Sequence, residues 1–189
     1  MKRLVSPLTL LTVVFVGPFV LAIVLYVGRD TFGGFELTPN PDRELIENAA
    51  VMPAIDVETA DGVVSDVFRS RWSLIYARMP ACGAACVEAL ERVHRVHLAL
   101  GKERQRVRLL FLAPVASLGA TAAEGFLVAG LDAPEGAALA RLLGPERLAD
   151  GRYFVVDPLG NLILSYPADA DQGRLLEDLE RLLNVSRIG

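Results

Sequence analysis

Cys82 and Cys86 are the two cysteines of a 189-residue chain, four positions apart in Pro80-Ala81-Cys82-Gly83-Ala84-Ala85-Cys86. One helical turn puts residues i and i+4 on one face with Cα atoms roughly 6 Å apart, within the span of a disulfide. A helix starting here adds partial positive charge and free N–H groups, which favour a thiolate, and Arg78 lies just upstream. The pair can be oxidised to a bridge, exchange with another disulfide, or hold a soft ion such as Cu(I). The competing role is a structural staple. A loop this small gains little from cross-linking, since the entropic gain grows with loop length. Placement between a strand and a helix favours a chemical role and leaves the staple open.

Other reactive side chains are sparse. His94 and His97 are the two histidines, eight and eleven residues past Cys86. At 1.5 Å per residue they stand roughly 12 and 16 Å along a helix axis, too far to share an ion with the sulfurs. His97 falls among Val87, Leu90, Val93, Val96 and Leu100, which points to a core histidine; an i, i+3 histidine site lacks further ligands nearby. There is no Gly-rich phosphate loop, Ser-His-Asp set or usefully spaced acid pair. A net charge of −4 without a basic cluster gives no basis for nucleic-acid binding.

The elements that must position the cysteines follow from the apolar pattern. Trp72–Met79 reads as a strand leading into the pair, and Ala85–Leu100 as a helix ending at Gly101. Val107–Leu112 is a continuous apolar run of the kind found in buried central strands. Val63–Phe68, introduced by Asp61-Gly62, is a weak strand, and Phe126–Ala129 a short one. Pro134–Leu143 reads as a helix with Asp132 as its N-cap. Tyr153–Asp157 and Leu162–Tyr166 flank a turn and read as a hairpin. Asp171–Leu183 carries Leu175, Leu176, Leu179, Leu182 and Leu183 in one stripe, expected to pack on its own sheet rather than form a zipper. The order is α/β with a mixed sheet flanked by helices, a thioredoxin-like layout.

Leu4–Gly28 carries no charge over 25 residues and follows Lys2 and Arg3. A bilayer core of about 30 Å needs roughly 20 apolar residues, so the run reads as one transmembrane helix, too long for a cleavable signal. The basic pair favours a cytoplasmic N-terminus and a domain outside the cytoplasm, in the periplasm of a bacterial inner membrane. That compartment permits disulfides. The expected organisation is an anchor over residues 1–30, a linker over 31–53 and a soluble domain over 54–189.

The strand WSLIYARM leading into Cys82-x-x-x-Cys86 resembles the Sco/SenC proteins, membrane-anchored thioredoxin-fold factors that help build the copper centre of cytochrome c oxidase. FLVAGLDAPEGAALARLLG (Phe126–Gly144) and YFVVDPLGNLILSYP (Tyr153–Pro167) are similar to later blocks of that family, and the resemblance spans about Asp61 to Leu183. It implies copper binding through Cys82, Cys86 and a later histidine, and partners among oxidase subunits or other assembly factors. The matching stretch here, Leu148-Ala149-Asp150-Gly151-Arg152, has no histidine, and Ala149 falls near the family's position. Ala113-Pro114-Val115-Ala116-Ser117 likewise lacks the acidic residues common there. Three readings follow: a thiol-disulfide oxidoreductase acting on a copper-site subunit, a Cu(I) carrier using both sulfurs, or a binding scaffold whose cysteines are merely bridged.

Overall fold

The computed structural model describes residues 7–27, 40–59, 62–118, 125–134, 136–186 and 188. The chain separates into two units, Met1–Pro39 and Asn40–Gly189. The first holds helix α1 (Pro7–Val27), 21 uncharged residues with Pro18 inside it. Leu11, Phe15, Phe19 and Ile23 are 62, 67, 72 and 62% exposed. Counting only residues whose side chains are described, no helical stretch is long and apolar enough to cross a membrane. Lys2, Arg3, Arg29, Asp30, the rest of the expected linker up to Pro39, and Asp61 lie outside the described residues.

The second unit is built on a six-stranded mixed sheet. Its strands are β1 (Glu44–Val51), β4 (Trp72–Ala77), β5 (Val107–Ala113), β6 (Phe126–Gly130), β7 (Arg152–Val156) and β8 (Asn161–Pro167), in the spatial order β1-β8-β7-β4-β5-β6. The pairs β4–β5 and β5–β6 are parallel, while β7 runs antiparallel to β4 and β8, and β1 antiparallel to β8. A separate hairpin joins β2 (Val57–Thr59) to β3 (Gly62–Val64). Helices α2 (Ala84–Ala99), α3 (Val115–Leu118), α4 (Gly136–Leu143), α5 (Pro145–Asp150) and α6 (Gln172–Val185) complete the unit.

The sequence pattern explains the centre of this sheet. All six residues of β4 are buried, and so is all of β5 but Arg108, because both faces are covered and continuous apolar runs suit that position. Alternation along β4 divides two cores. Trp72, Leu74 and Tyr76 meet α2 and α6, while Ile75 and Ala77 face Leu139 and Leu143 of α4 and Leu148 of α5. Helix α2 buries Cys86, Ala89, Leu90, Val93 and Val96, and stops where Gly101 takes φ +59. In α6, Leu175, Leu179 and Leu183 are buried against the sheet, and Asp171 caps the helix by accepting the Arg174 N–H at 2.9 Å.

Four expectations change. The stretch read as a linker up to Pro53 contains β1, an edge strand whose pairing is interrupted by a bulge between Leu45 and Ala50. Its weak β-formers and half-open setting hide it from pattern reading. The strand expected over Val63–Phe68 ends at Val64, and the chain then turns with Asp66 at φ 44 and Ser70 at φ 72. Asp132 caps a different helix: its Oδ1 accepts the Val115 N–H at 2.7 Å, whereas α4 begins at Gly136. His97 is half-buried rather than in the core, with Nε2 2.8 Å from the Val107 carbonyl and 3.0 Å from that of Arg104.

Candidate functional site

Strand β4 delivers the chain to the site and backbone bonds then steer it. The Arg78 N–H donates to the Leu112 carbonyl at the end of β5, and the Met79 N–H to the Leu148 carbonyl in α5, both at 2.9 Å. The Cys82 N–H donates to Ser117 Oγ at 3.2 Å. Gly83 is the N-cap of α2 and offers no side-chain bond, so the first turn is uncapped beside the cysteines. Cys86 lies in that first turn, its N–H bonded to the Gly83 carbonyl at 3.0 Å.

Cys82 and Cys86 form a disulfide with Cα atoms 5.2 Å apart. The two sulfurs sit in unequal surroundings. Cys86 is 0% exposed within the α2 face of the core, while Cys82 is only partly buried, at the edge of the same cluster. Cys82 is therefore the more exposed of the two residues on the side from which a partner would approach. The residues around Cys82, from Pro80 to Ala85, are uncharged and small, leaving room for an approaching chain.

The core cluster that holds Cys86 also contains an aromatic floor. Tyr76 stacks on Phe111 with centroids 6.1 Å apart, and Tyr153 tilts against Tyr76 at 5.4 Å. The Tyr153 hydroxyl lies 2.9 Å from the Ala89 carbonyl in α2 and 3.0 Å from that of Ala168. It thus ties the cysteine helix to the chain just beyond β8. Burial pushes its ionisation well above the ordinary phenol range. Burial also raises that of Tyr76, and the nearby Arg78 guanidinium opposes the rise. The Arg78 geometry does not complete a hydrogen bond, so the Tyr76 hydroxyl and Arg78 Nε are both enclosed without partners.

The stretch that matches the family's histidine position but lacks the histidine, residues 148–152, crosses this floor. Gly151, at φ +78, lies so close that a Cβ there would be 2.5 Å from the Tyr76 hydroxyl oxygen. Leu148 is buried and Ala149 exposed. None of these residues supplies a nitrogen or sulfur ligand. Among the described residues no three His, Cys, Asp or Glu side chains come together in a way that could hold a metal ion. His94 instead lies against Phe126, ring centroids 6.2 Å apart. Two sulfurs with no third donor do not fit a copper centre that needs a nitrogen ligand; once reduced, they suit a two-coordinate Cu(I) at most.

Two contributors escaped the sequence. Glu44, in the unexpected strand β1, binds Arg147 of α5 and Arg152 at the start of β7, the latter at 3.0 Å. The Arg147 hydrogen bond and the charges of both arginines hold the Glu44 carboxyl below the usual carboxylate range, against the opposing effect of burial. This carboxylate braces the segment on either side of Gly151. Ser117 is the second: it is 6% exposed and touches Cys82 through the backbone. No periodicity or motif could signal either contact, since both join residues far apart in the chain.

A parallel–antiparallel sheet with a cysteine pair entering a helix after its central strand defines a thioredoxin-like protein. The family model for a transmembrane-like, thioredoxin-like C-terminal domain matches residues 72–186, and the chain belongs to that family. Among solved structures, the chain is similar to BsSco, described as a member of the Sco family of cytochrome c oxidase assembly proteins with a disulfide switch. The identity there is 13% and the TM-score 0.54, covering 74% of this chain and 96% of that one. It is similar to apo Sco1 from Thermus thermophilus at 23% identity and TM-score 0.53, over 73% and 94% of the two chains. A DsbE thiol:disulfide interchange protein from Chlorobium tepidum gives 16% identity and TM-score 0.53, over 71% and 96%. None of the curated proteins matches this chain. At these identities the likeness establishes the thioredoxin-like fold, which the Sco and DsbE structures share.

Proposed function

We propose that this chain is a membrane-anchored, divergent Sco-like dithiol protein that assists cytochrome c oxidase assembly by reducing a disulfide in a copper-site subunit. The observation that carries the reading is the Cys82–Cys86 bridge, with Cys86 fully buried and Cys82 only partly so. In the reduced protein, the Cys82 thiolate attacks a client sulfur, the client S–S bond breaks and one client thiolate leaves. The Cys86 thiol then loses its proton and attacks Cys82 Sγ. The mixed disulfide breaks, the second client thiolate departs, and the Cys82–Cys86 bridge reforms. Two electrons pass to the client, and an external dithiol reductant must return them to the bridge.

The anchor belongs to the same proposal. Helix α1 has 21 residues, about 31 Å at 1.5 Å each, against a bilayer core of about 30 Å. Its exposed Leu11, Phe15 and Phe19 call for an apolar medium. Lys2 and Arg3 ahead of it favour a cytoplasmic N-terminus and a periplasmic domain in a bacterial inner membrane. There the partners are oxidase subunits or other assembly factors.

Mixing the reduced full chain in detergent with an oxidised two-cysteine peptide from a copper-site loop tests the reading. The expected result is stoichiometric reduction of the peptide, with a mixed disulfide through Cys82 accumulating in Cys86→Ser. No peptide reduction, together with tight one-to-one Cu(I) uptake lost in Cys82→Ser, would replace the reductant by a carrier. Neither activity would leave a bridged scaffold.

A further inference from the structure

Ser117 is held against Cys82 by a precise piece of local structure. Strand β5 ends at Ala113, and the single turn of α3 follows. Asp132 accepts the Val115 N–H at 2.7 Å, and the Ser117 N–H donates to the Pro114 carbonyl at 2.8 Å. Val115 lies over Gly130, where an added Cβ would fall 2.4 Å from Val115 Cγ2. These contacts fix the turn to β6 and leave the Ser117 hydroxyl, nearly buried, accepting the Cys82 N–H.

That bond uses the hydroxyl as an acceptor only. Its own proton goes to no group among the described residues. A cysteine sulfur is three bonds from its own backbone nitrogen, so rotation about χ1 can bring Cys82 Sγ to the oxygen that already holds its N–H. While the bridge is closed, Cys82 Sγ is a poor acceptor; a thiolate is a strong one, and bonds to charged groups are the stronger class. We propose that Ser117 is a positioning residue for Cys82, its hydroxyl donating to the Cys82 thiolate once the bridge opens and so favouring the reduced, reactive form. The inference rests on the exchange reading and names how that site is regulated.

The charged groups on the surrounding elements do not duplicate this role. Arg78 follows β4, Glu88 on α2 is paired with Arg92, and Asp150 ends α5. Helix α3 carries no charge, and the Asp132 carboxylate is bonded to the Val115 N–H. The α2 N-terminus acts on the thiolate through its dipole. Ser117 offers a neutral donor already beside the Cys82 backbone.

The pH profile of iodoacetamide alkylation of Cys82 in the reduced full chain, read by mass spectrometry of the labelled peptide, tests the proposal. Ser117→Ala is expected to raise the Cys82 pKa by about one unit, leaving roughly tenfold less thiolate at pH values below it. With the thiolate as the main form, the same tenfold change makes the bridge more reducing by about 30 mV. Ser117→Thr, which keeps the hydroxyl, should restore both values. An unchanged profile and potential in a folded Ser117→Ala protein would reduce the contact to a loop tie. A wild-type Cys82 pKa at or above about 8.5, the free-thiol value, overturns the proposal without any variant. The alkylation readout needs no client, so failure of peptide reduction with a normal Ser117 effect would sink the exchange reading alone.

Discussion

The two ends of the central strand β4 are secured by different chemistry. At the far end, before Trp72, charged side chains do the holding. Arg108 Nη1 donates to the carbonyls of Val67 and Arg69 at 2.8 and 3.2 Å. Asp157 accepts the Leu159 and Asn161 N–H groups at 2.9 and 2.8 Å and the Asn161 side-chain amide at 2.8 Å. The Ser70 N–H then ties the preceding loop to Pro158 at 2.9 Å. At the cysteine end the ties from Arg78, Met79 and Cys82 start from backbone N–H groups, and the residues between the sulfurs are glycine and alanine. At the far end charged side chains close the fold, although Asp66 Oδ1, Arg69 Nη1, Trp72 Nε1 and Ser73 Oγ are buried without partners. The cysteine end sets a half-buried cysteine ahead of an uncapped helix, and that asymmetry locates the chemistry.

The sharpest break in the comparison is at Cys86. Cys86→Ser is expected to abolish turnover completely while trapping the client on Cys82, and Cys82→Ser to abolish even the trapped species; gel shift under non-reducing conditions distinguishes them. Gly151→Ala comes next. Its Cβ meets the Tyr76 hydroxyl at a positive φ, so a loss of about 2–4 kcal/mol in urea unfolding is expected. Because Gly151 lies on the aromatic floor, faster reaction of Cys86 with thiol reagents should accompany it.

Asp157→Ala should cost about 1–2 kcal/mol of stability and leave the redox behaviour of the bridge unchanged. A shifted potential there would erase the distinction between the two ends. The smallest effect belongs to Glu44, whose side chain is 39% exposed and screened by solvent. Its folded-state carboxyl titrates below the 4.5 of a free glutamate. The stability it contributes is therefore present above pH 4.5 and lost as pH falls through the lower, folded value. Glu44→Gln should remove about 0.2–1 kcal/mol at neutral pH and flatten that acid slope in thermal melts.

Reading from residues to structure worked where burial imposes a period. The runs at 72–77 and 107–113, the α2 and α6 stripes and the hairpin at 152–167 all bury a continuous face, so their patterns report their partners. The closeness of the cysteines was equally legible from their spacing, although Cys82 lies ahead of the α2 N-cap Gly83 rather than on a helical turn. Strand β1 was not: its partner β8 lies more than a hundred residues away, a bulge breaks its register, and Leu45 is 66% exposed. Asp132 looked like a cap for the nearest downstream helix but turned back to α3, a choice made by the β5–β6 pairing. Ser117 sits in a stretch with no period, and its value depends on a contact 35 residues away.

The reduction potential of the Cys82–Cys86 pair in the full chain, equilibrated with dithiothreitol buffers, bears most directly on the claim that these sulfurs exchange with a client. The account predicts a value more oxidising than about −300 mV, in the range of exchangeable pairs. A value below that, with no reaction of the reduced protein toward a disulfide peptide, would contradict it and make the bridge a staple.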